Sequence, residues 1–109
     1  MYEPKESDWK KYKKLVEGVE EKYLERRISF LINKLQDPLK SAEDRFWSAK
    51  KQIDKDLKAL NQSLSEHKRN TIFPNMMNML HNGMITKEDL EPFSDELKEL
   101  LERVLDSFR

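Results

Sequence analysis

Asp37-Pro38 divides the first two-thirds of this chain into two stretches that each repeat apolar residues at every third or fourth position. Proline lacks an amide hydrogen and pushes the residue before it out of the helical region, so one helix must stop here and another begin just beyond. The link from Asp37 to Ser41 is short enough to make the two helices antiparallel neighbours. With only two glycines, no alternating run of strand length, and abundant Leu, Lys, Glu and Arg, no sheet is expected. The expected fold class is therefore all-α: a long antiparallel helical hairpin packed by two shorter C-terminal helices, a small helical bundle in one domain.

The first helix is expected over about 8–36, with Ser7 as N-cap and Asp8 in the first turn, where the helix dipole favours an acid. Trp9, Tyr12, Val16, Val19 and Tyr23 fall on one stripe. From Leu24 onward, Ile28, Leu31, Ile32 and Leu35 add a second flank beside Tyr23 and Phe30, so that half the circumference is apolar and calls for more than one covering neighbour. Gly18 interrupts this pattern at a cost of about 1 kcal/mol relative to Ala.

The second helix is expected over about 42–67, capped by Ser41 with Asp44 three residues on. Phe46, Ala49, Ile53, Leu57, Leu60 and Leu64 form its expected core seam. The third is expected over about 71–82, with Thr71 as cap, Pro74 in the first turn and Asn82-Gly83 as the stop. A capping pair, Thr86 with Asp89, predicts a single turn over Lys87 to Glu91, and Ser94 caps a last helix over about 95–108. That helix aligns Leu97, Leu100, Leu101, Val104, Leu105 and Phe108. Helices three and four together match the first in length, and they are expected to cover the open groove of the hairpin.

Charged residues make up 39% of the chain against a usual value of about 25%. The 21 basic and 21 acidic residues cancel, which removes the long-range field that draws a protein to nucleic acid or to an anionic membrane. The chain has no cysteine, fitting a reducing, cytoplasmic compartment and excluding thiol chemistry. Residues 1–9 lack the positive start and apolar run of a signal peptide, so export by that route is not expected, and no apolar run approaches the roughly twenty residues of a membrane span.

Candidate sites are few. Lys10 and Lys14 beside Trp9 and Tyr12, together with His67, Lys68 and Arg69, form a candidate basic patch that combines phosphate-binding charge with stacking rings. At 100° per residue the first lysines spread around the helix while the aromatics join the core stripe, so a solvated face is the simpler reading and nucleic-acid binding is not expected. Residues 71 to 91 also fit a helix-turn-helix outline, but Glu88, Asp89 and Glu91 would face phosphates. His67 and His81 lack the spacing of a helical metal face, and the methionines around His81 are commoner as packing material than as copper(I) ligands. No glycine-rich phosphate loop or nucleophile elbow is found, so neither an enzyme nor a cofactor is expected.

Asn70 to Thr86 contains no Lys, Arg, Asp or Glu. Its wide apolar arc makes Ile72, Met77, Met79 and Met84 a candidate interaction surface of flexible thioether side chains, with a simply buried helix as the competing reading.

Phe46-Trp47, His67-Lys68-Arg69-Asn70, the run Gly83 to Leu90 and Phe93-Ser94 resemble segments of small uncharacterised helical proteins of bacteria. That resemblance implies a bacterial, cytoplasmic origin and brings no site residues. The expected function is a non-enzymatic protein-protein interaction or regulatory role, through a protein partner or self-association; the alternative is a nucleic-acid-associated regulator using the basic patch.

Overall fold

The computed structural model describes residues 2 to 107, and Phe108, expected on the last helix, lies outside the described residues. Four α-helices follow one another as α1 (Glu6–Leu35), α2 (Ala42–Leu64), α3 (Ile72–His81) and α4 (Asp95–Ser107), and no strand occurs among the described residues. Short 3₁₀ turns, Arg69–Thr71 and Lys87–Leu90, precede α3 and α4. The molecule measures 51 × 29 × 21 Å, and α1, about 45 Å long at 1.5 Å per residue, runs most of its length.

Local signals set most of the boundaries. Ser41 Oγ accepts the amide of Asp44 at 3.1 Å and starts α2, and Ser94 Oγ accepts the amide of Leu97 at 3.3 Å and starts α4. After α3, Gly83 takes a φ of +72°, its amide donates to Leu80 O, and the amide of Met84 donates to Met79 O at 2.8 Å. This pair of bonds is a Schellman stop, and the left-handed residue it needs is the one that lacks a Cβ. Thr86 and Asp89 close a capping box, with the Thr86 amide donating to Asp89 Oδ2 at 2.8 Å.

Two ends differ from expectation. α1 begins at Glu6 with Lys5 in the capping position, so Ser7 lies inside the first turn and caps nothing. α2 stops at Leu64 instead of running to 67. The Asn75 amide donates to Glu66 O at 2.6 Å and the Thr71 hydroxyl to Lys68 O at 2.9 Å, and these bonds tie the chain into a reversal that a continued helix would forbid.

The core sits at one end. Tyr12, Ile72, Met76, Met79, Leu97 and Leu101 have no solvent exposure, and Val19, Tyr23, Leu90 and Phe93 are nearly as buried. α3 packs on both α2 and α4. Because α3 and α4 lie side by side, they cover only this base and leave the rest of the hairpin as a protruding two-helix arm. The expected small bundle, a hairpin packed by two shorter helices, is thus present, with the covering helices confined to its base.

Candidate functional site

The candidate interaction surface on α3 is core. Ile72 and Met79 are fully buried, Met84 is 5% exposed and Met77 9%. Both flanks of α3 are taken, by α2 and α4, and the Gly83 turn folds Met84 and Ile85 back onto the base. The absence of charge from Asn70 to Thr86 reflects burial.

The basic residues are brought together only in part, with Lys10 and Arg69 both near the Glu6 carboxylate beside Trp9. Arg69 donates to both carboxylate oxygens of Glu6 at 3.2 Å and lies over the Trp9 ring, 5.3 Å from its centre. Lys68 pairs with Glu66 at 2.7 Å, and His67 Nδ1 meets the buried Tyr12 hydroxyl at 2.6 Å, which also accepts from Asn75 at 2.7 Å. Lys10 is exposed on α1, while Lys14 lines a hollow shared with Glu88 and Asp89. Acids inside the chain answer most of this positive charge. Among the described residues no three His, Asp or Glu side chains converge as a metal site would require, and no helix is long and apolar enough to cross a membrane.

The unusual surface lies on the arm. Here part of the expected seam of α2 is turned outward: Phe46 is 62% exposed, Ile53 44% and Leu57 51%, whereas Leu60 and Leu64, nearer the base, are half-buried and pack against the core. Ala49 alone of that seam is buried, and the other buried residues of α2 are Asp56, Ala59 and Ser63. Polar contacts explain the choice of face. Asp56 Oδ1 accepts from Arg27 Nε at 2.9 Å, from Gln52 Nε2 at 2.8 Å and from the Tyr23 hydroxyl at 3.5 Å. Further out, Lys34 Nζ reaches Ser48 Oγ at 3.4 Å, and Arg45 Nη1 caps the C-terminus of α1 by donating to Leu35 O at 2.8 Å. Small and polar residues hold the two helices together, and the large apolar ones are left outside. Asp56 Oδ2 is buried with no hydrogen-bond partner.

These outward residues share one side of the hairpin. Leu24, Ile28 and Leu31 of α1 line a shallow groove of about 100 Å³ with Ile53, Leu57 and Leu60 of α2, and Arg27 and Asp56 lie at its floor. At 100° per residue Leu35 continues the α1 row and Phe46 the α2 row toward the tip. The Phe46 and Trp47 rings meet edge to face at 5.4 Å, and Leu39 in the connecting turn is 93% exposed. Phe30, on another side of α1, is flanked by Arg27 and Lys34, whose cationic groups lie 4.7 and 5.1 Å from the ring centre. A groove of this volume is well below the roughly 300 to 1,000 Å³ of small-molecule sites, and it suits rows of side chains from a packed helix.

The sequence contained a signal for this face: the apolar half-circumference of α1 beyond Leu24, which demands more than one neighbour. The chain supplies one, α2. Compared with known proteins, the chain matches no family model, no curated protein and no solved structure.

Proposed function

We propose that this chain is a non-enzymatic interaction protein that docks onto protein through the apolar face of its helical arm. A single observation carries the reading. Among the described residues, the large hydrophobic side chains that stand at least 44% exposed all fall between Ile28 and Leu57, on the arm, and none falls in the base. Scattered apolar residues are normal on a surface, but Ile28, Leu35, Phe46, Ile53 and Leu57 of this set share one two-helix face, which is a feature of association sites. The polar seam supports the same reading, because Arg27 and Asp56 hold the arm closed without using its hydrophobic residues, which leaves those residues for a partner.

The test is the size of the complex that the chain forms in the cell that makes it. With complexes fixed by a bifunctional crosslinker before lysis, so that a weak one survives dilution, the unaltered chain is expected to run on gel filtration well above its own mass, and Leu57→Glu to run as a smaller species with its helix content intact. Equal elution of the two would contradict docking through the arm.

A further inference from the structure

We infer that the occupant of the arm face is a second copy of this chain, the two arms packing face to face as a four-helix bundle. This rests on the docking reading above and names its partner. Three observations carry it.

The first is shape. The face presents two antiparallel apolar rows, one from Ile28 and Leu31 and one from Ile53 and Leu57, astride a shallow groove. One added helix would fill that groove but leave Ile32, about 40° beyond Ile28 on the outer flank and 46% exposed, in water. Another two-helix arm matches both rows at the 8–10 Å spacing of packed helices.

The second is charge. A two-fold contact sets a surface against itself, so a face with net charge repels its own copy. Here Arg27 and Asp56 neutralise one another at the floor at 2.9 Å, and Lys50 with Asp54 does so on the surface of α2 at 2.8 Å. The chain as a whole carries 21 positive and 21 negative groups, so no long-range repulsion opposes pairing.

The third is area. About twelve residues of each helix run roughly 18 Å, and two helices side by side span about 20 Å. Each face therefore projects on the order of 400 Å², and two corrugated faces of that size bury close to the roughly 1,000 Å² at which specific interfaces begin. Interfaces at this low end of size belong with weak, transient associations, so a Kd of about 1 µM or above and reversible formation with concentration are expected.

Sedimentation equilibrium on the full chain, from about 1 to about 500 µM to bracket that range, tests the inference. The expected result is a reversible rise from one chain mass to two. Leu57→Glu should stay at one chain mass throughout with an unchanged circular dichroism spectrum, and Lys51→Glu, on another side of α2, should pair like the parent. If Leu57→Glu loses helix, Ile28→Ser on the other helix of the arm takes its place. A parent chain that is monomeric at every concentration overturns the second-copy inference, as does a Leu57→Glu chain that pairs normally. If the monomeric parent still enters a large cellular complex that Leu57→Glu leaves, the docking reading stands and its occupant is a different protein.

Discussion

Asp8, in the first turn of α1, accepts two hydrogen bonds from Ser94, from its backbone amide at 2.8 Å and from its hydroxyl at 2.6 Å. The Tyr2 hydroxyl donates to the same carboxylate at 2.8 Å. The residue that caps α4 is thus held by a fully buried carboxylate 86 positions earlier, and this contact ties the start of the chain to its last helix. Asp8→Ala should destabilise the fold by about 2 to 3 kcal/mol, since it strips three donors of an ionised acceptor. Urea unfolding measures it; a loss below about 0.5 kcal/mol would mean that the contact contributes little.

The same group makes stability depend on pH at both ends of the scale. Burial pushes the Asp8 carboxyl up, but the Ser94 hydroxyl and amide and the Tyr2 hydroxyl outweigh it, leaving it below its ordinary value of 3.8. With the folded value depressed, the contribution is complete above 3.8 and is lost as pH falls through the lower folded value. Asp8→Asn should therefore lose less stability than the parent when acidified through this window. Burial and then the Asp8 carboxylate push the Tyr2 hydroxyl up to about 12. Its neutral form is the one favoured by folding, so this contribution is complete below 10 and disappears as pH rises toward 12. Tyr2→Phe should flatten the alkaline limb of the stability profile.

The two glycines should respond in opposite directions. Gly18 lies inside α1 with open space where a Cβ would stand, so Gly18→Ala should stabilise by about 0.5 to 1 kcal/mol through helix propensity. Gly83 also has open space, but its φ of +72° is the left-handed region, so Gly83→Ala should cost about 1 kcal/mol. Thermal melts of the pair check the Schellman stop directly.

Core and arm should be separable by truncation. Leu97, fully buried between helices, should cost about 2 to 5 kcal/mol when changed to Ala. Leu57→Ala, measured at a dilution where the chain is monomeric, should cost less than about 1 kcal/mol, because half of that side chain is already in water. Met77→Glu should unfold the chain, since Met77 is 9% exposed and a carboxylate there would be buried without a partner.

What could be read from the residues alone was mostly short in range. Ser41 with Asp44, Thr86 with Asp89, Ser94 with Leu97, and Asn82-Gly83 all act within a few positions, and each was legible. Asp8 read only as a dipole-favoured first-turn acid because its partner lies at the far end of the chain. The face of α2 was misread for a similar reason: hydrophobicity pointed to Phe46, Ile53 and Leu57, whereas Asp56 is drawn inward by Arg27 of the other helix, and Ala49, Ala59 and Ser63 are buried on the same side. The charge-free α3 region fits both an interface and a buried helix, with burial the slightly favoured reading, and its packing between α2 and α4 decides for core. The arm was hinted at by the width of the apolar surface on α1, and was missed because α3 and α4 were expected to cover the open groove of the hairpin.

Site-specific photo-crosslinking in the native cell tests most directly whether the arm is the docking surface. A photoreactive residue at position 57 is compared with one at position 102, an exposed position on α4 at the base. Docking through the arm predicts discrete protein adducts, another copy of the chain among them, from position 57 and none above background from position 102. Adducts that are absent at 57, or equal at the two positions, would contradict it.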